Sequence, residues 1–191
     1  MSSISRILLF MVSCVFTQNI VFGQLLGGGA LYKKAGRIGT AAIVGAFMAL
    51  VMTVASAVNW LVYRKVLVPL NAQSLALIAF VLVIAGAAAL TAMLCKKLIP
   101  AAGEALGENV VALAANCAVL GVCVLSVGGG FGRAVASGLF GGIGFLLAML
   151  LMAGVQDRLE FSKVPKSMRG LPISLVSASL IALAFMGFIG L

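Results

Sequence analysis

Apolar residues fill this chain in six long stretches, each parted from the next by a short cluster of charged residues, glycine or proline. A helix needs about 20 mostly apolar residues to cross the hydrocarbon layer of a bilayer. The pattern therefore predicts six crossings, over residues 4–31, 38–62, 74–94, 109–127, 134–155 and 172–191. The fold class expected is an all-α membrane protein, one integral domain over residues 1–191.

Two of the six stretches are interrupted. In the first, Gln18, Asn19 and Gln24 come before Gly27, Gly28 and Gly29; in the fourth, Asn116, Cys117 and Cys123 come before Gly128, Gly129 and Gly130. Amides and thiols at membrane depth are tolerated mainly where protein or a cavity satisfies them. The fourth stretch is thus the expected functional centre.

The two polar stretches superpose on a shift of 97 residues (116 minus 19), which also carries the second crossing onto the fifth and the third onto the sixth. Each half, about 1–97 and 98–191, holds three crossings, and an odd number forces the halves into opposite orientations. The expectation is a 3+3 inverted repeat with broken first and fourth helices, whose breaks meet near the bilayer midplane to form a binding site. Glycine and asparagine there also have a plainer use, letting helices approach and hydrogen-bond to one another.

Composition agrees with the pattern. Hydrophobic residues make up 63% of the chain and charged ones 9%, against about 25% charged in soluble domains; the mean hydropathy is +1.26. The net charge of +9 would suggest nucleic acid in a soluble domain, but here the cations lie between apolar runs, where they orient helices. Lys33, Lys34, Arg37, Lys96, Lys97, Arg158, Lys163, Lys166 and Arg169 fall in the first, third and fifth loops, against Arg6, Arg64, Lys65 and Arg133 on the other side. Nine against four places the odd loops in the cytoplasm and both termini outside. The segment around Arg6 and Met11-Val12-Ser13-Cys14 has some look of a signal sequence, but its apolar core is short and hydrophobicity resumes at Ile20, so an uncleaved first helix is expected.

Histidine is absent, which removes imidazole acid–base chemistry and the common His-based zinc and haem sites. The four cysteines, Cys14, Cys95, Cys117 and Cys123, lie in or beside apolar segments without CxxC spacing, so no secreted disulfide framework is expected. Glu104, Glu108, Asp157 and Glu160 all fall in or near loops and offer no buried carboxylate relay. For ions, backbone carbonyls at the breaks or the amides of Asn19, Gln24 and Asn116 are the candidates, interhelical hydrogen bonding being their other use.

Asn116-Cys117-Ala118-Val119-Leu120-Gly121, Met52-Thr53-Val54-Ala55-Ser56 with Trp60, Asp157-Arg158-Leu159 with Val164-Pro165 and Arg169-Gly170, and the closing Leu183-Ala184-Phe185-Met186-Gly187-Phe188 resemble the A-subunit family of Rnf electron transport complexes. Order and spacing match over nearly the whole chain, and the family is related to the paired D and E membrane subunits of sodium-translocating NADH:quinone reductase. The resemblance implies a bacterial inner-membrane subunit that pairs with a homologous sister of opposite topology, in a complex exchanging electrons between ferredoxin and NAD while moving sodium ions or protons. It further implies a [2Fe-2S] cluster shared with the sister, each chain giving one cysteine from each broken helix. Cys117 matches the second of these positions. At the first, where relatives resemble Leu-Gly-x-Cys-Pro, this chain reads Leu26-Gly27-Gly28-Gly29-Ala30, with Gly29 in place of the expected ligand. Cys123 is a weak substitute: six residues after Cys117, it stands about 9 Å up and about 240° around a continuous helix. The departure at Gly29 leaves a second function class open, a small inverted-repeat transporter or channel subunit without a redox role.

Overall fold

The computed structural model describes residues 10–17, 19–24, 38–98, 116–160, 165 and 168–187. Helical turns over 10–17 end in a π-helical turn, Ser13–Thr17, and among the described residues six α-helices follow: α1 Ile20–Gln24, α2 Ile38–Val62, α3 Ala76–Leu98, α4 Cys117–Ser126, α5 Phe131–Glu160 and α6 Leu171–Met186. No strand occurs among the described residues.

Three segments, Ile38–Leu67, Gln73–Cys95 and Phe131–Leu159, are long and apolar enough to cross a membrane, and α4 and α6 are shorter apolar helices. The expected second, third and fifth crossings are thus present at full length. Of the expected first and fourth, only parts lie within the described residues: the first is interrupted at Asn19, and the described part of the fourth starts at Asn116 and runs on as a continuous helix.

Several helix ends differ from the hydropathy boundaries. Past Val62, α2 continues as a π-helical turn, Tyr63–Leu67, in which the Val68 amide donates to the Tyr63 carbonyl at 3.0 Å. Pro69 has no N–H to extend the ladder, and the chain turns at Asn71, whose φ is +50°. The fifth helix begins at Phe131 and runs to Glu160, so Arg133 belongs to its first turn and Gln156, Asp157 and Arg158 to its last ones. Hydropathy marks the apolar slab, whereas a helix ends where its backbone hydrogen bonds stop, and these go on into the headgroup layer.

The core is the crossing of α2 with α5. Small residues let the two backbones touch: a Cβ added at Gly142 would stand 2.6 Å from Ala49 Cα, and one at Gly138 would stand 2.9 Å from both the Met52 carbonyl oxygen and Thr53 Cα. A Cβ added at Gly45 would meet Leu146 Cα at 3.1 Å. The last contact and the Gly142–Ala49 contact are reciprocal, because 45 and 49 become 142 and 146 on the 97-residue shift. Met48, Val51, Met52 and Ala55 on α2 are buried, and so are their counterparts at that shift, Phe145, Ala148, Met149 and Met152. Around this pair, α3 and α4 pack against α2, while α1 touches both α5 and α6; Phe22 and Phe185 bring the rings of α1 and α6 to 5.1 Å. One face of α3 stays open with Leu77, Ile78, Leu82, Leu90 and Met93 exposed, an apolar surface suited to lipid.

Candidate functional site at the two helix breaks

At each of the two interruptions expected from the sequence, an asparagine caps the helix that follows. Asn19 accepts from the Val21 and Phe22 amides through Oδ1, at 3.0 and 3.3 Å, and so caps α1, satisfying donors that the first helical turn leaves open. Asn116, extended at φ −110° and ψ 150°, caps α4 in the same way: its Oδ1 accepts from the Ala118 amide at 2.7 Å. The segments that follow the two breaks, α1 and α4, lie against each other. Residues 97 apart thus perform one local task, and the structure brings their helices together.

The two sites differ in what remains. Asn19 is buried, and its Nδ2 donates to the Val15 carbonyl at 2.9 Å and, across the bundle, to the Gly144 carbonyl at 3.2 Å. A carboxamide has two acceptor and two donor positions; all four are taken within the chain, leaving none for an ion. Asn116 Nδ2 is buried with no partner among the described residues.

Cys117 is the first residue of α4 and is exposed. Cys123 lies on the same unbroken helix but is fully buried in the core. The two sulfurs therefore open onto different environments. Cys14 and Cys95 are half-buried, Cys14 in the π-helical turn and Cys95 near the end of α3. Gln24 ends α1, and Gly29 lies outside the described residues. Among the described residues no three His, Cys, Asp or Glu side chains gather as metal ligands. A [2Fe-2S] cluster takes four thiolates or a His substitute, so the described residues do not make up a cluster site by themselves, and Cys117 is the one cysteine among them that is exposed.

Two contacts around the second break are not foreshadowed by the sequence motifs. Asn59 of α2 is fully buried with the Cys123 thiol as a polar neighbour, but neither its oxygen nor its nitrogen reaches good hydrogen-bond geometry with any described residue. Its spacing from Met52, Ala55 and Ser56 puts it on the inward stripe of α2, which is the available signal. Trp60 Nε1 donates to the Gly129 carbonyl at 2.8 Å, fixing the turn between α4 and α5. Its ring also meets Phe131 edge-on at 5.3 Å.

These features define a polytopic helical membrane protein with two asparagine-capped helices in contact and a surface thiol at the start of one of them. A family model described as Rnf-Nqr subunit, membrane protein, matches residues 7–191, and the chain belongs to that family. It is 37% identical over 187 residues, 97% of each chain, to the A-subunit of the Na(+)-translocating ferredoxin:NAD(+) oxidoreductase complex of Acetobacterium woodii. The A-subunit of the ion-translocating oxidoreductase complex of Syntrophotalea carbinolica is 37% identical over 188 residues, 97% of each chain, and that of Azoarcus sp. is 36% identical over 189 residues, 98% of each chain.

Proposed function

We propose that the chain is the A-type membrane subunit of an ion-translocating ferredoxin:NAD oxidoreductase complex, helping to carry electrons across the bacterial inner membrane. The observation that carries this reading is an exposed thiol, Cys117, placed directly after the Asn116 cap in a chain that its relatives in such complexes match from end to end. The relatives' names supply the ion-translocating and ferredoxin:NAD parts of the assignment.

In this reading the chain crosses the membrane six times as a 3+3 inverted repeat, halves 1–97 and 98–191, with both termini extracytoplasmic. The matching caps at Asn19 and Asn116 and the reciprocal Gly45–Leu146 and Gly142–Ala49 contacts support it, since two copies related by a pseudo-two-fold axis meet through equivalent contacts. A sister protein of opposite topology covers the surface around Cys117 and shares a [2Fe-2S] cluster with it. Cys117 would hold the cluster, whose chemistry when bound is one-electron transfer. Asn116 fixes where α4 starts and hence where that sulfur stands, and the partial positive charge at the helix N-terminus favours negative charge beside it.

Inverted membrane vesicles test the proposal. Ferredoxin-dependent NAD reduction coupled to sodium or proton uptake is expected to disappear when this chain is deleted and to return when it is restored, and the tagged chain is expected to co-purify with its sister. Vesicles that keep the coupled activity without it would refute the assignment. So would a chain that purifies alone and iron-free and moves a solute, which is the behaviour of a transporter without a redox role.

A further inference from the structure

The helical turns over 10–17, α4 and the start of α5 enclose a cavity of about 420 Å³, lined in part by Phe10, Ser13, Leu125, Gly129, Arg133 and Ser137. Its size falls in the range of ligand pockets, about 300–1,000 Å³. Three of its polar side chains are left without a hydrogen-bond or ion-pair partner among the described residues. The hydroxyls of Thr53, Thr91, Ser174 and Ser177 each donate to the carbonyl four residues back; among the described residues, Ser13 and Ser137 make no such bond. Arg133 has no described carboxylate beside it: Asp157 and Glu160 stand at the far end of α5, about 36 Å or more along its axis. What holds the guanidinium is the Phe10 ring, 5.7 Å from its carbon.

The surroundings fix the kind of ligand. A Cβ at Gly129 would stand 2.7 Å from Arg133 Cδ, so the glycine lets the arginine stem lie across the α4–α5 turn. Trp60 bonds that same turn, and indole rings sit preferentially in the headgroup layer of a bilayer. The cavity wall also carries Leu125, 59% exposed, an apolar surface continuing outward towards lipid. A cation with no described carboxylate partner, two hydroxyls and an apolar wall at headgroup depth complement one class of molecule, an amphiphile with an anionic head. The positive end of the α5 dipole acts in the same sense.

We propose that this cavity binds the phosphodiester headgroup of an anionic membrane phospholipid. Arg133 pairs with a phosphate oxygen, Ser13 and Ser137 donate to the head, and an acyl chain runs out over Leu125. The site needs only that the chain lies in a bilayer, so it stands or falls independently of the redox reading above.

The test uses the whole complex, delipidated in detergent and titrated with phosphatidylglycerol under native mass spectrometry. Wild-type protein is expected to show a tight site that Arg133→Gln weakens roughly tenfold or more, the loss of one charge-assisted pair. Arg64, four residues after Trp60 and therefore at the same end of the bundle, is exposed and outside the cavity; Arg64→Gln is expected to keep wild-type binding. Equal weakening in both variants would reduce the effect to general surface charge and overturn the site, as would unchanged binding in Arg133→Gln. Displacement of the lipid by inorganic phosphate would assign the cavity to a free anion and overturn the lipid proposal. Should Arg133→Gln fail to assemble, Ser137→Ala carries the test, with a roughly threefold loss expected and unchanged binding again overturning it.

Discussion

Asn19 and Asn116 occupy matching positions and cap matching helices, yet one is saturated and the other is not. Asn19 uses every hydrogen-bonding position it has, tying the 10–17 turn, α1 and α5 into one unit. Asn116 makes the cap and leaves a buried amide nitrogen with no partner among the described residues, beside an exposed thiol. The same residue type thus serves as a lock in the first half and as a cap alone in the second. Local sequence gives the cap in both cases; tertiary surroundings decide the rest.

The contrast is sharpest in stability. Asn19→Leu removes two cap bonds and two ties, so a loss of about 3 kcal/mol is expected. Asn116→Leu forfeits a single cap, about 1 kcal/mol. Denaturant unfolding of the purified complex in detergent measures both; equal losses would erase the distinction between lock and cap.

Packing gives the next effect. Enlarging Gly138 or Gly142 to valine drives α2 and α5 apart, for about 1–3 kcal/mol, and Gly45→Ala is expected to cost less because Leu146 stands slightly farther off. A Cβ at Gly39 meets nothing within 4 Å, and Gly39→Ala is expected to be neutral. Thermal unfolding of the set should follow that order; a set in which Gly39→Ala is the most harmful would show that the α2–α5 crossing is misplaced.

The smallest change is expected at Asn59. Its buried carboxamide has no partner among the described residues, and replacing an unsatisfied polar group by an apolar one of similar shape is close to neutral. Asn59→Leu should therefore alter stability by about 1 kcal/mol or less, in either direction. A loss of several times that would mean the amide is satisfied by a group beyond the described residues.

The sequence carries much of this, unevenly. The breaks are legible because an amide and a run of glycines interrupt an apolar stretch, and the pairing of Asn19 with Asn116 because the same spacing recurs in the flanking crossings. The glycines of the fifth stretch announce close contact, although their partners on α2 do not. Saturation of Asn19 is illegible, since one of its bonds reaches Gly144, 125 residues away. Hydropathy also misplaces Arg133 into a loop, because a cation at the start of a helix reads as a boundary, and with it hides the cavity that Arg133 lines. Asn59 escapes notice for a related reason: a single polar residue in a long apolar run leaves the window average high.

In the proposed assembly Cys117, and not Cys123, supplies this chain's ligand to a shared cluster. Electron paramagnetic resonance of the reduced, purified complex tests it most directly, comparing Cys117→Ser with Cys123→Ser. The account predicts that the [2Fe-2S] signal is lost in the first and kept in the second. A signal that survives Cys117→Ser, or one that only Cys123→Ser removes, would contradict it.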